Sequence, residues 1–127
     1  MLRVIEQINF QYQKWQSRKS NLVFKQKKLN VKLKDLSILD WGCGTGRFLR
    51  HLPTILDSSN SFCGTDYNKK YVKWCSENLD EIKFKNNSLL PPLDFKADSM
   101  AVIYGISIFI HLSEELHFSW IHELTRV

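Results

Sequence analysis

The sequence predicts an α/β domain in which a parallel sheet is covered by helices on both faces. Three observations carry that expectation. Short apolar runs alternate with helix-periodic stretches from Leu36 to the end of the chain. The first run, Leu36-Ser37-Ile38-Leu39-Asp40, stops abruptly in a glycine-rich turn, Trp41-Gly42-Cys43-Gly44-Thr45-Gly46. Helical segments join most of the runs, which is how right-handed crossovers connect parallel strands. At 127 residues, 43% of them hydrophobic and 24% charged, the chain suits one ordinary globular domain.

Charge sets the N-terminal region apart. Residues 1–34 hold nine Lys or Arg against one acid, Glu6, whereas the remaining residues hold nine basic and twelve acidic groups. Within the first part, Ile5, Ile8, Tyr12 and Trp15 recur at steps of three or four, one face of a helix that runs with interruptions to about Leu29. Residues 1–34 therefore read as a basic helical arm and 35–127 as the domain proper. The lysines allow a nucleic acid or an anionic small molecule as partner and establish neither, since no RNA-binding aromatic motif accompanies them.

The elements follow in order. Leu36–Asp40 reads as a buried parallel strand. Arg47-Phe48-Leu49-Arg50-His51-Leu52 begins a helix that Pro53 ends, kinks or restarts. Ser61–Thr65 is a second strand, ending in Asp66. Asn68 caps a helix through Leu79 whose apolar positions are Tyr71, Val72, Trp74, Cys75 and Leu79. Ile82–Phe84 is a short third strand, and residues 86–98 form a proline-bearing loop. Met100–Tyr104 is a fourth strand, apolar enough to be central. Ser113 caps a last helix, with Glu114 and Glu115 in the first turn, where the helix dipole favours negative charge.

Several classes are disfavoured. The longest uncharged stretch, Ser99–Ser113, is too short to cross a bilayer and contains Gly105 and His111. The first ten residues carry Arg3 and Glu6 and no apolar run of signal-peptide length, so a cytoplasmic location is expected. Cys43, Cys63 and Cys75 form no C-x-x-C, and His51, His117 and His122 make no metal-ligand set with them.

The chemistry concentrates at Asp40–Gly46. Glycine serves where the backbone turns with positive φ or a ligand approaches closely. A dinucleotide loop would read G-x-G-x-x-G, but Arg47 holds the position of the third glycine. Asp40 at the loop mouth would repel a pyrophosphate and suits a cationic ligand, which disfavours a nicotinamide-dependent oxidoreductase. Asp66 ends the second strand, where a carboxylate can accept hydrogen bonds from both ribose hydroxyls; alone, such an acid is more often a helix cap or salt-bridge partner. His111 reads as a general base or, more simply, a locally bonded packing residue. No histidine pairing pattern makes Cys43 a nucleophile.

Residues Ile38–Arg47 closely resemble the first motif of class I S-adenosylmethionine-dependent methyltransferases, which reads like L-D-x-G-C-G-T-G-R. The resemblance implies a Rossmann-like sheet and S-adenosyl-L-methionine as cofactor. It implies that Gly42, Cys43, Gly44 and Gly46 wrap the methionine part, with Asp40 facing its ammonium directly or through water. Cys63–Asn68 looks like the family's G-x-D segment, which gives Asp66 the ribose and sets Tyr67 beside the adenine. Asn87, or Asn86 in the neighbouring register, takes the place of an acid that accepts from the adenine amino group, and Gly105 joins the cofactor set. Segments resembling P-P-L-P-F, S-V-F-x-H-L and E-L-x-R-V extend the likeness over residues 36–127, with Ala101 where the family often has Asp. Trp74-Cys75 matches a W-C pair of a branch that modifies glycans or small metabolites, so the acceptor is expected to be of that kind. No catalytic residue is assigned, because alignment of acceptor and methyl group supplies much of the rate.

Family domains continue past the segment matching Arg126-Val127 into a fifth strand and a hairpin. The sheet is therefore expected to be incomplete at its C-terminal side. The fourth strand would be an exposed edge able to pair with another copy. A fragment, a truncated frame and a subunit completed by another chain all fit. Two functions stay open: a methyltransferase, or an inactive methyltransferase-like binding subunit.

Overall fold

Strands that are apolar on both faces need cover on both, and this chain supplies it from different segments. The computed structural model describes residues 33–127 together with the backbone of Arg3–Val4. In chain order the elements are β1 (Arg3–Val4), β2 (Ser37–Trp41), a 3-10 turn (Leu49–His51) leading into α1 (Leu52–Ile55), and β3 (Ser61–Asp66). There follow α2 (Lys69–Asn78), β4 (Lys83–Asn86), β5 (Val102–Tyr104), a second 3-10 turn (Phe109–His111) and α3 (Glu114–Arg126). The sheet order is β1-β5-β2-β3-β4, with every neighbouring pair parallel. The expected Rossmann-like α/β architecture is present.

Strand alternation sorts the core into two layers. On one face Leu39, Trp41, Cys63 and Ile103 pack with Leu93 and with Trp120, Leu124 and Val127 from α3 and its C-terminal end. On the other, Ile38 and Phe62 pack with Leu49 and Ile82, flanked by Leu52, Leu56, Leu79, Phe84, Val102 and Tyr104. Full burial of one such aliphatic or aromatic side chain stabilises the fold by about 1.5–3 kcal/mol.

Local chemistry sets the helix boundaries. The Asn68 side chain accepts from the Lys70 N–H at 3.0 Å, and Pro53 sits in the first turn of α1, restarting the helix. The continuous helix expected over Arg47–Leu52 is instead a series of turns followed by the 3-10 segment. Ser113 occupies the N-cap of α3 as expected, but its side chain makes no capping bond. The strand expected from Met100 begins at Val102, because the Met100 N–H is engaged by the Val127 carbonyl at 2.7 Å.

The edge expected to be open carries a partner. Arg3 and Val4 pair with Val102 and Ile103, so β5 is flanked on both sides there, and these two residues of the expected helical arm are extended. Unpaired N–H and C=O groups on an apolar strand are a strong template for any short extended segment. The remainder of the expected arm, residues 5–32, lies outside the described residues. Among the described residues no helix is long and apolar enough to cross a membrane.

Residues 87–101 form a loop tied to α3. Glu123, buried on that helix, accepts from the Leu93 N–H at 2.7 Å and from Arg126 at 2.6 and 2.8 Å. Arg126 also donates to the carbonyls of Phe95 and Leu93. The guanidinium bonds hold the Glu123 carboxyl below its ordinary pKa.

Close packing of β3 depends on Gly64. A Cβ there would lie 2.7 Å from Phe84 and 2.9 Å from Leu49. Gly64→Ala is expected to destabilise the fold by about 1–3 kcal/mol, measured by urea denaturation. Gly44→Ala lacks that clash, since nothing lies within 4 Å of its Cβ position. Its cost is confined to the positive φ.

Candidate functional site

The glycine turn after β2 is held by the end of β3. Gly42, Gly44 and Gly46 all have positive φ, between 55° and 75°. The N–H groups of Gly42 and Cys43 both donate to the Thr65 carbonyl, at 2.8 and 2.9 Å. One residue further on, Asp66 Oδ2 accepts from the Gly44 N–H at 2.8 Å, and its Oδ1 accepts from the Asn68 N–H at 2.8 Å. The glycine loop and the second acid, read separately from the sequence, are thus one hydrogen-bonded unit. A carboxylate offers about four lone-pair sites, so roughly two remain for a further pair of donors.

A hollow of about 220 Å³ opens at the carboxyl ends of these strands, where parallel sheets bind ligands. Of the nine residues expected to meet a cofactor, Gly42, Asp66, Tyr67 and Asn87 line it. Of the two asparagines, Asn87 lines the hollow and Asn86 does not. Asn86 turns its amide nitrogen to the Asp66 and Tyr67 carbonyls, at 2.8 and 3.1 Å. The Asn87 Oδ1 is buried with no hydrogen-bond partner among the described residues. Two acceptors, Asp66 and Asn87, therefore line the hollow together with the exposed Tyr67, a set able to accept from hydroxyl or amino donors.

The other expected residues, Asp40, Cys43, Gly44, Gly46 and Gly105, do not line the hollow. A Cβ on Gly46 would reach Leu79 at 2.9 Å and one on Gly105 would reach Trp41 at 2.8 Å, so these glycines serve close packing. The lining residues given no site role from the sequence are Trp41, Ser88, Leu89, Ile108, Leu112 and Trp120. The available signal was position, since the segment after the fourth strand reaches the same end of the sheet. Ile108 stands directly over Gly42, in the space that a Cβ would take. Trp120 packs on Trp41 at 4.8 Å between centroids and donates to the Leu89 carbonyl at 3.1 Å. His111 also lines the hollow and is exposed.

Asp40 is 3% exposed. Burial, opposed by the Tyr104 hydroxyl on β5 and aided by the nearby Asp66 charge, pushes its carboxyl up to about 7. Burial also raises the Cys43 and Tyr104 groups, which keeps both protonated. Because the folded chain holds a proton on Asp40 that the unfolded chain releases above 3.8, this group makes stability fall as pH rises from 3.8 to about 7. Asp40→Asn removes that slope. Thermal melts without ligand are expected to show the variant gaining on the parent as pH rises from 4 to 8, with most of the gain complete by pH 7.

Comparison with known proteins agrees with this arrangement. A family model described as a methyltransferase domain matches residues 38–127. The fold resembles a TehB-like SAM-dependent methyltransferase from Corynebacterium glutamicum, with TM-score 0.61 and 17% identity over 87% of this chain and 66% of that one. It resembles a SAM-dependent methyltransferase from Aquifex aeolicus, with TM-score 0.66 and 19% identity over 87% and 65%. It also resembles the Haemonchus contortus phosphoethanolamine N-methyltransferase 1 solved with phosphoethanolamine and S-adenosylhomocysteine, with TM-score 0.63 and 17% identity over 87% and 22%. The chain spans between 22% and 66% of the length of these three structures. With most of its residues matched by the family model, the chain belongs to the methyltransferase domain family.

Proposed function

We propose that this chain binds S-adenosylmethionine in the hollow at the ends of β2, β3 and β4 and takes part in transferring its methyl group to a small-molecule acceptor. The observation that carries this reading is the Asp66 carboxylate, bonded to the glycine loop and lining the same hollow as Asn87, whose Oδ1 has no partner among the described residues. The bound cofactor supplies an electrophilic methyl group on a cationic sulfur. Asp66 accepts from the ribose hydroxyls with its remaining lone pairs. Asn87 accepts from the adenine amino group. Asp40, close beneath the loop, favours a cation by its negative field, and a cation in turn favours its ionised form. Trp41, Trp120 and Leu112 form an apolar wall that keeps water from the reacting region.

Titration calorimetry with S-adenosylhomocysteine tests the reading. The parent chain is expected to bind; folded protein giving no heat at millimolar ligand sinks the proposal. Asp66→Ala is expected to weaken binding by tenfold or more, from hydrogen bonds to a charged group worth about 1.5–3 kcal/mol each. Asn87→Ala is expected to weaken adenosine binding more than Asn87→Asp, which keeps an acceptor at the same place.

Ile108 favours a second reading, a binding subunit without turnover, because it stands over Gly42 where the methionine part would lie. If this side chain merely has to move aside, Ile108→Ala removes a conformational cost and tightens S-adenosylhomocysteine binding by roughly threefold to tenfold. Unchanged affinity in that variant, with no methyl transfer over an acceptor panel, supports the binding subunit.

A further inference from the structure

The glycine loop is gripped from behind by two segments that do not touch the ligand hollow. Arg50, in the 3-10 turn, donates from Nη2 to the Thr45 carbonyl at 2.6 Å and from Nε to the Gly46 carbonyl at 3.1 Å. Its guanidinium lies over the Trp74 ring on α2, 5.5 Å from the centroid. The next residue, Cys75, is fully buried and points its Sγ at the Gly44 carbonyl, 3.6 Å away. Three consecutive carbonyls, at 44, 45 and 46, are thereby engaged, the Gly46 carbonyl also accepting from the Arg50 N–H at 3.0 Å, while Asp66 takes the Gly44 N–H. Neither Arg50 nor Trp74 lines the hollow.

A turn with three positive-φ glycines has more conformations to lose than any other segment of this length. Fixing it before a ligand arrives lowers the entropic cost of binding. Arg suits the task because its planar fork meets two carbonyls at once while its face stacks on an aromatic ring. We propose that Arg50, buttressed by Trp74 and assisted by Cys75, is the positioning group that locks the glycine loop in its ligand-ready shape. This makes the Trp74-Cys75 pair a support for the cofactor loop rather than a mark of the acceptor. The inference rests on the cofactor reading above and adds a prediction of its own: the brace serves the methionine end, which meets the loop, and not the adenosine end, which meets Asp66 and Asn87.

The test uses the full chain, with S-adenosylhomocysteine and adenosine as separate calorimetric probes and melts without ligand as a control. Arg50→Gln is expected to weaken S-adenosylhomocysteine about tenfold and adenosine less than about threefold, through lost charge-assisted bonds and a loosened loop. Arg50→Lys is expected to fall between Gln and the parent, because an ammonium reaches a carbonyl but neither forks nor stacks. Amide exchange across residues 42–48 of the unliganded Arg50→Gln chain is expected to quicken. Trp74→Leu, at a half-exposed position, is expected to give about a threefold loss of the same selective kind, and it decides the matter if Arg50→Gln does not fold. Parent-like affinity in Arg50→Gln, or in Trp74→Leu should the former not fold, overturns the proposal. An equal loss of both probes overturns it as well, since that is plain structural damage. A parent chain that ignores S-adenosylhomocysteine overturns the cofactor reading and this inference with it, whereas a parent that binds and an Arg50→Gln chain that binds equally well overturn this inference alone.

Discussion

The contact between the end of β3 and the glycine turn is the constraint on which the site depends. The turn has little side-chain material of its own, so its shape must be imposed by neighbours. Thr65 imposes it through a carbonyl that collects two N–H groups, and Asp66 through a carboxylate that collects a third. Parallel register makes this geometry available, because β2 and β3 run side by side from Ser37 and Ser61 to Trp41 and Thr65. Their carboxyl ends therefore emerge together. The ligand-facing acid and the loop are aligned by backbone pairing before any ligand is considered.

Much of this was legible in the sequence. The apolar runs announced the strands because both sheet faces are covered, and Asn68 announced its helix because its side chain satisfies the Lys70 N–H locally. Asp66 was legible because a strand end fixes where its carboxylate must stand. Less legible were arrangements decided over long distances. The buried Glu123 meets Leu93, thirty residues away, and nothing local distinguishes it from a surface acid of an amphipathic helix. Ile108 covers Gly42 only because β5 lies next to β2. Arg3–Val4 escaped the reading for a related reason, since two residues carry no period and their extended form depends on the strand edge beside them.

The two acids at the loop differ in kind although both are buried. Asp66 has its charge answered by backbone N–H groups at both oxygens. Asp40 sits one strand away with burial dominating its titration, and the neighbouring Asp66 charge adds to that effect. Asp66, bonded at both oxygens, presents a fixed acceptor, while Asp40 keeps its proton up to about pH 7.

The anchoring of the segment after β4 has a consequence for how such a domain can change. At its start the Asn87 N–H is bonded to the Asp66 carbonyl at 3.1 Å, and at its far side the Leu93 N–H is bonded to Glu123 at 2.7 Å. Between those two fixed points lie Ser88, Leu89, Leu90, Pro91 and Pro92, of which Ser88 and Leu89 face the hollow. The stretch behaves as a cassette with both ends clamped. Its side chains can be exchanged, by natural drift or by design, to alter what the hollow admits while Asp66 and Asn87 keep their places.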